Sequence, residues 1–354
     1  ASNTGTIDVS AEESGADGGF VELSADNVVV DGKIDVSSID GEPGTLFIDP
    51  LDFYILSYHP LWAHSEDGDN DVNWWKHWWG SSYMTEGWME SFNGNIRIQA
   101  LQDVFFKLGE RRTLSGWVED FYTTDHILTL KGNNFSIEAG RHIDLGNDAL
   151  VMANGGNVYF ATDVDFVSGI PLTDNGVGDI YLGNGAGIDS KGGTIYLIGV
   201  NIHLTSLVNA GTGTVNLTAQ KKILDDADGA AVDIIANTLN MSARGIGYSR
   251  SNPYQRNDIE TQVNILNSAQ ASTASLYLRN YGDLYVKSAS AAHNVKIRVD
   301  SDLTVGDISA DSVVLTAATG SILDDSDDTT AIWANNISLT SNGSIGSTST
   351  VNND

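Results

Sequence analysis

Two local clusters in the sequence have side chains suited to chemistry or binding. The run Ser65 to Val72 (SEDGDNDV) sets Glu66, Asp67, Asp69 and Asp71 at alternating positions, as calcium loops begin, because hard cations take several carboxylate and carbonyl oxygens from one tight turn. An EF-hand would need a bidentate Glu at the twelfth loop position, where Trp78 stands. The run therefore reads first as a solvated acidic loop, with calcium at Asp67, Asp69 and Asp71 as the alternative; no cofactor is required. A few residues on, WWKHWWG places Trp74, Trp75, Trp78 and Trp79 around Lys76 and His77. Flat aromatic faces with polar tips stack on sugar rings or anchor a protein partner. The competing reading is that the segment folds back and buries its own rings.

A second acidic motif occurs twice. Asp225, Asp226 and Asp228 follow Ile223-Leu224, and Asp324, Asp325, Asp327 and Asp328 follow the matching Ile322-Leu323. Repetition makes this a demand of the fold, read as an Asx-type turn at a corner with a shared cation as the alternative. Catalytic constellations are scattered: Arg111 and Arg112 near Glu119 and Asp120, and Arg141 and His142 near Asp144. With 18% charged residues, such neighbours arise by chance and form solvated faces. No Ser-His-Asp spacing or phosphate loop stands out, and His59, His64 and His77 are too irregular for a zinc site.

The elements that must carry these residues are short strands. Runs such as NIRIQA, NVYFATD, TVNLTA and SLYLRN alternate apolar and polar residues and are separated by Gly, Asp or Asn. Successive copies lie about 15 to 22 residues apart, near one coil of a solenoid. Over this runs a longer repeat: Val215 to Gly247 matches Val313 to Gly346 in the order ILDD, acidic turn, strand, IG. The pattern predicts an all-β chain, a right-handed parallel β-helix with an aromatic-rich insertion. Its expected organisation is β-helix coils over 1–53, an aromatic and acidic insertion with a short helix over 54–93, coils over 94–247, a polar insertion over 248–262, and a repeat module over 263–354.

Composition agrees with that architecture and narrows the function. Among 354 residues there are 37 Gly and no Cys, so neither disulfides nor thiolate chemistry contributes. A formal net charge of -29 repels phosphate backbones and anionic headgroups, so neither nucleic acid nor a lipid bilayer is expected as partner. No apolar run approaches the ~18 residues that span a bilayer. The first residues lack a signal peptide and an initiator Met, which predicts an excised piece whose export signal lay upstream.

The stretch Gly15 to Pro50 resembles the filamentous haemagglutinin family of two-partner-secretion exoproteins, in its double Gly (Gly18-Gly19), its G-x-I-D-x-S turn (Gly32 to Ser37) and its G-x-L-x-I-D-P closure (Gly44 to Pro50). Met84 to Leu108 is similar to that family's short helix leading into a G-N-I-x-I-x-A strand. The likeness covers about the first third closely and the remainder by repeat style. It implies a secreted bacterial surface adhesin or extracellular fibre segment, non-catalytic, exported through an outer-membrane transporter and touching a host or neighbour cell surface, glycan or matrix. The Asn-Pro-Asn motifs of the family's secretion domain are absent, so the segment is expected to follow that domain. Both ends read as ordinary repeat residues with open strand edges, so the segment is expected either to be cut from a longer chain or to self-associate end to end. The competing readings are a polysaccharide-processing β-helix enzyme and a passive stalk presenting an effector elsewhere in the parent chain.

Overall fold

The computed structural model describes residues 2–57, 82–108, 126–172, 175–227, 231–248, 257–327, 329 and 331–346. The described chain is all-β, built from short parallel strands, with one helix at Glu86–Ser91. It divides into two compact units, Ala1–Ile188 and Asp189–Asp354.

In the first unit, alternation along each strand sends every second side chain inward, and parallel register stacks like on like. Val21, Leu46, Ile96, Phe135 and Val158 form one such file, and Leu23, Ile48, Ile98, Ile137 and Phe160 run beside it. A separate file joins Phe53, Val104, Ile143 and Ile180, all fully buried. Phe106, Phe135 and Phe160 meet edge-on or tilted where these files face each other, with centroids 5.7 to 6.4 Å apart. Pairing reaches into the stretch the sequence gives to the aromatic insertion: Phe53–Leu56 lies in register with Ser82–Thr85. The short helix expected there is present. Thr85 caps it by accepting from the Trp88 amide at 3.3 Å, and Trp88 Nε1 donates to the Gly32 carbonyl at 2.7 Å.

In the second unit, two long files carry the core. One runs Val215, Leu239, Leu266, Val286, Val305. The other runs Ile223, Ile246, Leu276, Val295, Val313, Ile337. Nearly all are buried, at roughly 25 cal/mol for each Å² of apolar surface removed from water. The long sequence repeat does not map onto equal positions, because Val215 belongs to the first file and its counterpart Val313 to the second. What repeats is the strand-turn-strand unit, which serves either face. Outside the core, Asn267 Nδ2 donates to Asn240 Oδ1 and Asn240 Nδ2 to Asn216 Oδ1, both at 2.9 Å, so an amide ladder follows the rungs. No described helix is long and apolar enough to cross a membrane.

Candidate functional site: a buried carboxylate cluster

Three neighbouring rungs of the second unit converge on one acidic cluster. Asp225 is the last residue of the strand Thr214–Asp225, Asp233 immediately precedes Ile234–Ala243, and Glu260 is the second residue of Ile259–Ala271. Parallel pairing brings the last two together: the Asp233 amide donates to the Glu260 carbonyl, and the Glu260 amide donates to Asp233 Oδ2, each at 2.8 Å. One carboxylate oxygen from each of the three residues lies within 4.8 Å of the other two. Asp225, Asp233 and Glu260 are 1%, 2% and 7% exposed, so this is an interior site, unlike a solvated acidic surface.

Burial without solvent penalises the charged forms, and the neighbouring carboxylates add to the penalty. Asp233 is pushed up to about 8, first by burial and then by Asp225. Glu260 is pushed up to about 7, again first by burial, then by Asp225 and Asp258, with Arg279 opposing. The arrangement can share protons at neutral pH or close on a divalent cation through hard oxygen ligands. Beside it, His203 Nδ1 and Asp226 Oδ2 stand 2.7 Å apart, both side chains buried.

The repeated acidic motif thus has two fates. Asx-type turns occur in both copies, with the Ala227 amide donating to Asp225 Oδ1 at 2.8 Å and the Asp327 amide to Asp325 Oδ1 at 3.1 Å. Among the described residues only the first copy meets further carboxylates in the interior. Asp233 and Glu260 carry no motif in the sequence. The available signal was an acid inside an apolar strand pattern, V-D-I-I at Val232 to Ile235 and D-I-E at Asp258 to Glu260.

Trp74, Trp75, Trp78 and Trp79 lie outside the described residues, as do Asp67, Asp69 and Asp71, Arg111, Arg112, Glu119 and Asp120. Arg141 and His142 are described and hold backbone and carboxylate partners. Arg141 pairs with Asp103, whose other oxygen accepts from the His142 amide, and His142 Nδ1 accepts from the Asp179 amide at 3.0 Å. Asp144 stands in register between Phe105 and Tyr181. Searches of protein-family models, curated proteins and solved structures found no match to this chain.

Proposed function

We propose that the chain is a right-handed parallel β-helix serving as a non-catalytic adhesive or fibre-forming segment of a secreted bacterial surface protein. The observation that carries this reading is the succession of parallel rungs in register, with continuous aliphatic files from Ile223 to Ile337 and from Val215 to Val305. Such a framework grows by adding coils to one core and presents long outer faces, which suits spanning and contact. General stereochemistry supports the right-handed form, since connections between parallel strands of one sheet are right-handed in about 98% of cases. The resemblance of Gly15 to Pro50 to filamentous haemagglutinins supports export through an outer-membrane transporter and residence at the cell surface. Calcium belongs to the same proposal as an optional ligand.

Attachment tests the reading directly. Beads coated with the chain are expected to adhere to cell or matrix surfaces more than beads coated with an unrelated acidic protein; equal adhesion defeats the adhesive reading. A degradation screen on acidic and neutral polysaccharides separates it from the enzyme alternative, which release of reducing or unsaturated ends would favour.

A further inference from the structure

One corner of the Ala1–Ile188 unit leaves a run of apolar side chains in water. The strands Thr45–Asp49, Asn95–Ala100 and Phe135–Ala139 pair in parallel, and the corners that follow them carry Leu51, Leu101 and Gly140. These corners stack, because the Leu101 amide donates to the Pro50 carbonyl and the Gly140 amide to the Ala100 carbonyl, each at 3.0 Å. Leu51 and Leu101 are both exposed. The chain passes over the same corner once more, where the Val164 amide donates to the Ala139 carbonyl at 3.3 Å. Gly140 has no side chain, and Phe166 comes in beside it: a Cβ on Gly140 would stand 3.4 Å from Phe166 Cε2. Beyond Phe166 the loop leaves Val167 97% and Ile170 53% exposed.

Hydrogen bonds fix this loop in place. The Asp165 amide donates to the Ile170 carbonyl at 3.1 Å, while Asp165 Oδ1 accepts from the Val167 amide at 3.0 Å and Oδ2 from Ser168 Oγ at 2.8 Å. At the base, fully buried Asp163 accepts from the Asn175 and Gly176 amides at 2.8 and 2.9 Å. Val167 and Ile170 therefore cannot fold back under cover without breaking these bonds. Single exposed aliphatic residues are ordinary on a protein surface, whereas a run of them ending on a fixed loop marks a contact surface.

We propose that the corner formed by Leu51, Leu101, Phe166, Val167 and Ile170 docks an amphipathic helix of a protein partner, one whose apolar face is bordered by Lys or Arg. Charge selects that partner. The stretch 142–188, which includes the loop, holds six Asp and no Lys, Arg or Glu, and Arg141, next to Gly140, is taken up by Asp103. In a chain of net charge -29 such a corner attracts cationic flanks and repels acidic ones, a second copy of the chain included. Spacing suits a helix: rungs repeat about every 4.8 Å and helical turns about every 5.4 Å, so one apolar residue per turn can meet successive corners. The fixed loop also loses little freedom on binding. The inference rests on the adhesive reading and deepens it by naming the partner's chemistry and the residues it meets.

Fluorescence anisotropy of the full chain tests it with three labelled synthetic peptides. One is a helical Leu/Lys peptide with an apolar and a basic face, one its Leu/Glu counterpart, and one a Lys/Ser peptide of equal positive charge without an apolar face. At 0.15 M salt, where charges are screened beyond about 8 Å, the Leu/Lys peptide is expected to bind about ten-fold more tightly than either control. The double variant Val167→Ser, Ile170→Ser is expected to bind it about five-fold more weakly with an unchanged melting temperature, since both side chains stand in water. If that variant melts early, Val167→Ser alone is expected to weaken binding about two-fold in a folded chain. Undiminished binding by the variants, a Lys/Ser peptide bound as tightly, or no binding of the Leu/Lys peptide overturns the proposal. Sedimentation of the chain with phosphatidylcholine vesicles that is lost in the double variant would assign the corner to lipid and overturn it as well. A chain that coats surfaces adhesively yet ignores the Leu/Lys peptide defeats this inference and leaves the adhesive reading standing.

Discussion

At the residue scale the consequential groups are Asp233 and Glu260. Their protonated forms are favoured in the fold, Asp233 titrating at about 8 against an ordinary 3.8 and Glu260 at about 7 against 4.5. Between the ordinary and the raised values the folded chain holds protons that the unfolded chain has released. Stability therefore falls as pH rises, from about 4 to 8 for Asp233 and about 4.5 to 7 for Glu260, and the full contribution is present only in acid. At about 1.4 kcal/mol for each pKa unit, the change is on the order of several kcal/mol. Denaturant midpoints measured from pH 4 to pH 9 should decline over that window, and Asp233→Asn should flatten the decline and raise the midpoint at pH 8. A wild-type midpoint that climbs through the window would refute the proton-sharing account. Calcium that restores the midpoint only above pH 7, and only with all three acids intact, would assign the cluster to a cation instead.

At the element scale each strand contributes according to its place in a file. Ile297 is fully buried between Leu278 and Leu315, whereas Ile337, in register with Val313, is 51% exposed. Ile297→Ala should cost about 2 to 5 kcal/mol, and Ile337→Ala much less, in paired equilibrium unfolding curves. Much of this was legible in the sequence, because alternation in runs such as SLYLRN and NVKIRV reports which residues face inward. The rung partners were not. Register shifts between Ile223 and Leu224 and between Leu239 and Asn240 break the simple count, and the polar segment after Tyr248 separates Asp233 from Glu260 in the chain. The buried cluster was hidden for that reason, while its Asp225 member was visible through the repeat. For the tryptophan segment, Trp75→Ala with Trp78→Ala should abolish attachment with little change in melting temperature if the rings contact a partner. A loss of ~3 to 5 kcal/mol per ring would show that they cover the protein's own core.

At the scale of the whole molecule the net charge of -29 sets how copies meet. Like-charged copies repel at low ionic strength, and the repulsion shortens to about 10 Å at 0.1 M salt. If copies of the chain associate as a fibre-forming segment would, that association should therefore strengthen with added sodium chloride, read as rising mass by light scattering. A mass that falls with salt would contradict the charge argument.

The half-exposed Ile337 also bears on how the second unit comes apart. Among the described residues its strand, Asn336–Ser341, shares backbone bonds with Ser312–Ala317 on one side, whereas Asn294–Val299 is held by Leu276–Asn280 and Ser312–Ala317 together. A row of nearest-neighbour couplings behaves as a zipper, so opening advances one strand at a time from the least-held member. Amide exchange should be fastest at Asn336–Ser341, slower at Ser312–Ala317 and slowest at Asn294–Val299. Simultaneous exchange of all three would mean that the strands open as one block.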